Sequence, residues 1–217
     1  MRFEDTVNKS TVIAVGALMA ITFSAYRLIE PDDRVLAMPQ TRSVIVNRVI
    51  SGNKFKIEPE GYVVLAGIRA PYRSEPLGDQ AFQALGELVE HEQPRLRFPG
   101  RQKDDRGRWN AYVFVDGGMV NERLVREGLA YVRLKAGQQR FADELLAAQS
   151  DARAAHRGLW ALQVAAARRY FGDRKHGSFH RLTCQDVANI KPDDKIDLVS
   201  RDAAFDQGLA PCGHCDP

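Results

Sequence analysis

The sequence has few cysteines, little net charge, and no internal repeat or low-complexity tract. Three cysteines cannot form a closed set of disulfides, so a disulfide-stabilised scaffold is not indicated. A formal charge of +3 over 217 residues is weak evidence for a polyanionic partner. Apolar content of 44% and charged content of 27% are ordinary for a globular protein. This length allows one domain of ordinary size with a small additional module.

One uncharged, mainly apolar run lies near the N-terminus, where the 17 residues Ser10 to Tyr26 are bounded by basic residues. This length is at the short end for a helix that crosses about 30 Å of hydrocarbon. A cleavable signal peptide has an apolar region of similar length. Glu4 and Asp5 before the run, and Phe23 near the best cleavage position, favour an anchor. We expect residues 1–30 to form a single-pass N-terminal membrane anchor with its side of the membrane undetermined. The alternative is a signal peptide on an exported or periplasmic protein.

Strand signals begin after residues 31–41, which form a predicted linker because prolines and acidic residues there oppose regular structure. Short apolar strands separated by tight turns are predicted from Val44 to Ile57, from Tyr62 to Ile68 and from Arg95 to Phe98. Closely spaced strands of this kind indicate a small curled sheet or barrel. Apolar residues at helical spacing predict one helix after Pro76 and another from Phe141 to Ala152.

The most informative segment runs from Asp105 to Tyr131. It begins with a turn at Asp105 to Gly107, which is followed by Arg108 and by a strand at Trp109 to Val115. A glycine turn at Asp116 to Gly118 then leads into a helix. The apolar face of this helix contains Leu124, Val125 and Leu129. Asn121 is predicted to cap this helix, and Gly128 to mark its end.

This segment resembles the signature of the staphylococcal nuclease-like (thermonuclease) family. That signature is Asp-x-x-Gly-Arg, an apolar strand, a glycine turn, and then a hydrophobic residue followed by Asn-x-x-Leu-Val-x-x-Gly-Leu-Ala. The resemblance extends in order from Arg42 to Trp160 and implies a mainly β fold with helices, built on a five-stranded OB-fold barrel. It places a nuclease-like domain at residues 42–162.

The resemblance also implies a phosphodiesterase site, whose positions differ in this sequence. In active relatives two aspartates hold calcium, a glutamate prepares the attacking water, and two arginines neutralise the phosphate. Here Asn53 and Arg69 occupy the two aspartate positions, and Tyr72 occupies that of the glutamate. Val64 replaces the first arginine. Only Arg108 is retained.

These replacements are unfavourable for calcium-dependent hydrolysis. Calcium takes six to eight oxygen ligands, usually including carboxylates, whereas Arg69 would repel a divalent cation. Tyr72 has an ordinary pKa near 10 and is a poor base at neutral pH. We therefore expect no calcium site, and we assign no catalytic residue. Two alternatives stay open: Glu75 or Asp79 serves as a substitute base, or Arg69 and Arg108 bind an anion without cleaving it.

A second candidate site lies near the C-terminus, where His180-x3-Cys184 and Cys212-x2-Cys215 are separated by 27 residues. One imidazole and three thiolates suit a closed tetrahedral zinc site, which is structural because no position is left for water. Two short chelating pairs joined by a longer loop allow a small module to fold around the metal. His214 is the alternative to His180 as the fourth ligand.

The same module resembles the zinc domain of the bacterial DNA alkylphosphotriester-repair protein. The resemblance is carried by Ser200, Ala204, Gly208, Pro211, Cys212 and Cys215. In that family the first ligand is a methyl-accepting cysteine, whereas here it is His180, so methyl acceptance is not implied. We place the Cys3His zinc-binding module at residues 178–217.

A basic linker at residues 163–177 is predicted to join the two domains. Basic residues outnumber acidic ones between Arg153 and Arg181: they include Arg157, Arg168, Arg169, Arg174 and Lys175. This distribution fits either a solvated surface or a patch that faces nucleic acid.

Together these features predict a membrane-tethered nuclease-like domain that has lost phosphodiester hydrolysis. Its expected role is that of a binding or accessory subunit in a membrane protein complex. An active membrane-bound or exported endonuclease and a non-catalytic nucleic-acid binder are the alternatives. Structural zinc is the expected cofactor, and no organic cofactor is implied.

Overall fold

The computed structural model describes residues 41–217 except 60, 138–139, 164–166 and 168. The strands are β1 Thr41–Ser43, β2 Ile45–Ser51, β3 Lys54–Glu58, β4 Tyr62–Leu65, β5 Ile68–Arg69, β6 Arg95–Arg97, β7 Trp109–Val115, β8 Gly118–Met119, β9 Tyr131–Val132, β10 Tyr170–Asp173, β11 Ser178–Arg181, β12 Lys195–Leu198 and β13 Ala210–Pro211. The α-helices are α1 Gly78–Val89, α2 Val120–Arg126, α3 Ala142–Ala154 and α4 Arg201–Asp206. Three 3-10 helices cover Gly158–Ala161, Gln185–Asn189 and Pro192–Asp194.

The first eight strands, apart from β5, form one mixed sheet in the order β1-β6-β7-β4-β3-β2, with β8 paired to β7. Only the β4–β7 pair is parallel in this sheet. The sheets and helices are consistent with the expected OB-like fold. In the described residues no ladder joins the end strands β1 and β2, so a closed barrel is not seen. These two strands are consecutive in the chain and separated by Val44, whose N–H bonds to Pro94 O at 3.0 Å instead.

The predicted turn before β7 is held by a single carboxylate. Asp104 Oδ1 accepts hydrogen bonds from the backbone N–H of Arg106 and of Arg108, both at 3.0 Å. Gly107 takes the positive φ of 73° that the turn requires. The turn therefore fixes the position of Arg108, which lies directly before β7.

The predicted capping role of Asn121 is wrong. The residue that caps α2 is Met119, which makes no side-chain hydrogen bond, while Asn121 lies inside the helix and is fully buried. Its Oδ1 accepts from Val113 N at 2.9 Å and its Nδ2 donates to Ala66 O at 2.8 Å. A buried amide of this kind must satisfy its own polar groups, and here it joins α2 to β7 and to the loop after β4.

The predicted basic linker 163–177 also needs correction, because it contains β10. This strand pairs with β11 and β12, and β13 completes a four-stranded sheet in the order β12-β10-β11-β13. Tyr170 is buried at the centre of this sheet and packs edge-on against Phe179. The C-terminal module therefore begins before residue 178.

The C-terminal module packs firmly on the nuclease-like part, and both belong to one compact unit, Gln40–Pro217. The buried Gln149 of α3 accepts from Val132 N at 2.8 Å and donates to Phe205 O at 3.0 Å. Phe205 stacks on Tyr131 at 5.7 Å and meets Trp160 edge-on at 4.7 Å. The module is therefore not a loosely tethered appendage.

The predicted membrane anchor and most of the predicted linker 31–41 lie outside the described residues. Within the part of the chain that is described, no helix is both long enough and apolar enough to cross a bilayer.

Gly128 gives a first testable prediction. Its φ is 71°, and a Cβ there would lie 2.1 Å from Arg157 O, so both the conformation and the space exclude alanine. We expect Gly128→Ala to lower the free energy of unfolding by more than about 2 kcal/mol, since the left-handed conformation alone costs roughly 1–2 kcal/mol. Gly100→Ala, which meets open space, should change it by less than about 0.5 kcal/mol. Equal urea midpoints for the two variants would contradict this.

Candidate functional site

One cavity of about 440 Å³ is lined by the residues at all five site positions that the family resemblance indicated. Its lining includes Asn53, Val64, Arg69, Tyr72 and Arg108. The five residues come from separate strands and turns, so their convergence follows from the fold and not from nearness in sequence.

Strand register explains this convergence. In β4, Val64 lies opposite Lys54 of β3 on one side and Asn110 of β7 on the other. Arg69 ends β5, where it pairs with Tyr131 of β9. The β3–β4–β7 strands thus supply one wall of the cavity, and the β5–β9 pair supplies another.

The cavity is strongly cationic. Six basic side chains line it: Lys54, Arg69, Arg106, Arg108, Arg133 and Lys135. Among the residues that the structure describes, only two carboxylates do so, those of Asp104 and Asp105. The lining thus carries four more basic than acidic groups, and the formal charge of the whole chain is only +3.

Both of these carboxylates already have partners. Arg108 donates to Asp104 Oδ2 from Nε at 2.8 Å and from Nη2 at 2.6 Å. Partial burial by itself would raise the pKa of Asp104, but the hydrogen bonds from Arg108 and Arg106 outweigh it and hold this pKa below its usual value. Asp105 is exposed and pairs with Arg101 at 2.7 Å. Asp104 is therefore not available as a general base.

The two substitute bases considered from the sequence are also engaged. Glu75 accepts from Arg69 Nη2 at 3.0 and 3.2 Å and from the backbone N–H of Tyr72 at 2.9 Å. Asp79 accepts from Arg73 Nε at 2.7 Å on the exposed surface. Neither Glu75 nor Asp79 is part of the cavity lining.

Arg133 and Lys135 are site residues that sequence reasoning missed. They follow β9 and alternate with the buried Val132 and Leu134, which is the period-two pattern of an extended segment with one face in the core. From this alternation, both residues could have been predicted to lie on the face away from the core. The hydrogen bond from Arg133 N to Gly67 O, 2.7 Å long, draws the segment towards β5.

These two cations are partly buried and close to other positive charges. Burial lowers the pKa of Arg133, and Arg69 lowers it further. Burial likewise lowers the pKa of Lys135, with Arg133 as the next cause. The only hydrogen bond that the Arg133 side chain makes within the described structure is to His176 O at 2.9 Å, and no ion pair there involves Arg133 or Lys135.

The part of the chain that forms most of this cavity is similar to known nucleases. The family model described as "Staphylococcal nuclease homologue" matches residues 62–162. The thermonuclease of Staphylococcus hyicus is 27% identical over 133 residues, which cover 57% of this chain and 78% of the relative. The chain carries a thermonuclease-like domain.

Further relatives agree with this assignment. The thermonuclease of Staphylococcus intermedius is 28% identical over 127 residues, which cover 54% of this chain and 76% of the relative. Endonuclease YncB of Bacillus subtilis (strain 168) is 33% identical over 88 residues, or 40% of this chain and 42% of the relative. Because the family match ends at residue 162, the resemblance of the C-terminal module to the alkylphosphotriester-repair zinc domain stays a prediction.

Calcium, which the family resemblance implies, does not fit the residues of this thermonuclease-like domain. At the two expected ligand positions the chain offers an amide, Asn53, and a guanidinium, Arg69. The nearby acids Asp104 and Glu75 are held by arginines. A hard divalent cation needs several oxygen ligands with negative charge, and this cavity presents positive charge instead.

The structure brings together all four predicted metal ligands of the C-terminal module. One ligand atom from each of His180, Cys184, Cys212 and Cys215 lies within 4.8 Å of the others. His180 Nε2 is 3.1 Å from Ser178 Oγ, and the buried Nδ1 has no hydrogen-bond partner. An orphaned, buried ring nitrogen beside three thiols fits a metal ligand, because a buried polar atom otherwise needs a partner. This cluster can therefore bind a metal.

The surroundings of the cluster set the protonation of its ligands. Burial raises the pKa of Cys212, and it raises that of Cys215 to about 12. Burial lowers the pKa of His180, which keeps the ring neutral and able to bind a metal. The alternative ligand His214 instead places Nδ1 2.7 Å from Asp186 Oδ2, although a smaller group of Asp186, Cys212 and His214 also shares the 4.8 Å spacing.

The two residues that bound the predicted basic patch, Arg153 and Arg181, are engaged within the molecule. Arg153 pairs with Asp202 and Asp206 at 2.6 and 2.5 Å. Arg181 donates to the backbone oxygens of Cys215 and Asp216. These two end residues therefore help to hold the C-terminal module in place.

Proposed function

We propose that the thermonuclease-like domain binds a phosphate-bearing anion in its cationic cavity and has lost calcium-dependent phosphodiester hydrolysis. The proposal rests on one observation: neutral and basic residues replace the family's acidic residues around the cavity. Asn53, Arg69 and Tyr72 occupy the positions that the family resemblance assigns to calcium ligands and to the base, while Arg108 is retained.

Electrostatics favour an anion in this cavity. Arg133 and Lys135 are partly buried without a carboxylate partner among the described residues, and burial of unpaired charge is costly. A bound phosphate would neutralise them, and its oxygens accept the charge-assisted hydrogen bonds that guanidinium and ammonium groups donate. Arg108, held by Asp104, would contribute a further donor at the mouth of the β7 turn.

The cysteine–histidine cluster of the C-terminal module is proposed to hold a structural zinc ion. Three thiolates and one imidazole fill a tetrahedral zinc shell and leave no position for water. The hydrogen bond between Ser178 and His180 Nε2 would keep Nδ1 as the coordinating atom. Zinc would stabilise the module and take no part in chemistry.

The broader role that we propose is that of an accessory subunit in a membrane protein assembly. Its support is the predicted N-terminal anchor together with a site suited to binding without hydrolysis. An active membrane-bound or exported nuclease is the outcome that the following experiment would reveal if the proposal is wrong.

Arg133→Gln tests the proposed anion site. We expect the affinity for inorganic phosphate and thymidine 5′-monophosphate to fall at least about tenfold, because a hydrogen bond to a charged group contributes roughly 1.5–3 kcal/mol. The matched control is Arg123→Gln on the exposed face of α2, which should leave both affinities unchanged. Isothermal titration calorimetry at two salt concentrations measures the loss and its electrostatic origin.

Hydrolysis is tested in parallel with a labelled single-stranded oligonucleotide and calcium. We expect it to stay intact over hours. Calcium-dependent release of acid-soluble nucleotides, abolished by Arg108→Ala, would overturn the proposed loss of hydrolysis.

A further inference from the structure

The segment at residues 133–136, which carries two of the cations that line the cavity, is bound by both parts of the molecule. Its first residue bonds to the turn before β5. The next two bonds go to the C-terminal module: Leu134 N donates to Gly208 O at 2.8 Å, and Ala136 N donates to Arg174 O at 3.1 Å. The position of this segment therefore depends on the module as well as on the thermonuclease-like domain.

Leu134 is the residue of this segment that the module encloses. Its side chain is buried, and a Cβ on Gly208 would lie 2.6 Å from its Cδ1. A Cβ on Gly177 would likewise lie 2.6 Å from its carbonyl oxygen. Both close approaches of the module backbone therefore require glycine. Because side chains alternate along an extended segment, fixing Leu134 also fixes the directions of Arg133 and Lys135, which line the cavity.

The same two glycines lie at the start of two strands whose far ends carry metal ligands. Gly177 directly precedes β11, and Gly208 lies two residues before β13. These strands pair in parallel over two residues. His180 and Cys212 come next in the two strands, just beyond the paired residues. A metal bound by His180 and Cys212 would therefore join the strands at one end, while their other ends enclose Leu134.

This strand pair is too short to be stable by itself. The strand β13 has two residues, and one of them is Pro211, which has no backbone N–H to donate. Parallel pairing is also slightly less stable per residue than antiparallel pairing. In small zinc modules, metal binding is coupled to folding. The metal would therefore stabilise β13 and keep Gly208 in the position in which it contacts Leu134.

We infer that the C-terminal module positions Arg133 and Lys135 through Leu134, so that metal binding in the module strengthens anion binding in the cavity. Leu134 is neither a metal ligand nor part of the cavity lining, and it is therefore a positioning residue. The inference rests on the proposed anion and zinc sites and adds the dependence of the first on the second. Coupling between two binding sites is reciprocal, so a bound anion must strengthen metal binding by the same factor.

Calorimetric titration with inorganic phosphate, before and after removal of zinc, tests the inference. The chelator is removed by gel filtration before the second titration. We expect zinc removal to weaken phosphate binding at least about fivefold, the lower end of the usual range for coupled sites, and one equivalent of zinc to restore it. In the reverse direction, saturating phosphate should raise the affinity for zinc by the same factor, measured by competition with a chelating dye.

Leu134→Ala addresses the connection between the two sites. It removes the side chain beside Gly208 and leaves the four metal ligands and the cations of the cavity in place. We expect this variant to keep its zinc, to bind phosphate at least about fivefold more weakly, and to lose the dependence of phosphate binding on zinc. The matched control is Leu88→Ala: this leucine of α1 packs on the core but does not line the cavity. It should leave the zinc dependence unchanged.

Amide hydrogen exchange observed by NMR follows the segment directly in the unmodified protein. Removal of zinc should abolish the protection of the amides of Leu134 and Ala136, which donate to module carbonyls. The amide of Val113 is bonded to the buried Asn121 within the thermonuclease-like domain and should keep its protection. This pattern would locate the effect of the metal in the segment that carries the cations.

The possible outcomes separate this inference from the proposals on which it rests. If zinc removal leaves phosphate affinity unchanged, whether or not the two amides lose protection, the inference is wrong and the anion site stands. Full zinc dependence in Leu134→Ala would equally contradict it. If the purified protein holds no metal and binds none, the inference fails together with the zinc proposal. If the zinc-loaded protein does not bind phosphate, the proposed anion function fails and the inference fails with it.

Discussion

Loss of the metal is expected to unfold the C-terminal module while the thermonuclease-like domain keeps its sheet. The module is small, and its two chelating pairs come from segments distant in sequence that a metal would tie together. In small zinc modules the apparent binding energy is about 10–16 kcal/mol and is coupled to folding. An ordinary point mutation changes stability by only about 0.5–3 kcal/mol, so removal of zinc should exceed any single substitution in the module.

His180→Ala and His214→Ala form the decisive pair of variants. The purified protein should contain one zinc per chain by elemental analysis. His180→Ala should lose most of it and should lower the melting temperature. His214→Ala removes a ring bonded to Asp186 and should retain the full zinc content. The opposite pattern would assign the fourth ligand to His214.

Trp160 reports the state of the module in the same samples. It contacts Phe205 and Tyr131 at the boundary with the nuclease-like part. In a Trp109→Phe background, unfolding of the module should shift its emission to longer wavelength. An unchanged spectrum after complete removal of the metal would show that the module folds without it.

Local patterns in the sequence predicted much of the fold. The strand at Trp109–Val115 and the turn before it could be predicted because aspartate and glycine favour a turn and the following run of apolar residues favours a strand. The convergence of the four metal ligands followed from their spacing. The positions lining the cationic cavity came from the family resemblance, and the structure brings them together.

What could not be predicted depends on contacts between distant segments. Asn121 bonds to Ala66 O, 55 residues away, so its true role was invisible to a capping rule. The strand β10 has only four residues and pairs with β11 and β12 on its two sides, and β12 is distant from it in sequence. Likewise, nothing in the sequence shows that Gly213 of the metal loop lies beside Arg69.

Introducing negative charge into the cavity should make it bind calcium in place of phosphate. The double variant Asn53→Asp, Arg69→Asp changes the local charge by three units and releases Glu75 from its arginine partner. A unit charge pair about 4 Å apart contributes on the order of 4 kcal/mol near a protein surface, and calcium carries twice that charge. We expect the variant to lose phosphate binding and to gain calcium affinity. Asn47→Asp, Arg48→Asp makes the same charge change on exposed β2 positions outside the cavity and should do neither.

The central claim is that the thermonuclease-like cavity now selects anions over calcium. It is tested most directly by calorimetric titration of the unmodified protein with inorganic phosphate and, separately, with calcium chloride. The account predicts saturable phosphate binding that Arg133→Gln weakens, and no calcium binding that depends on residues of this site. Saturable calcium binding that disappears in Glu75→Gln, with no binding of phosphate, would contradict it.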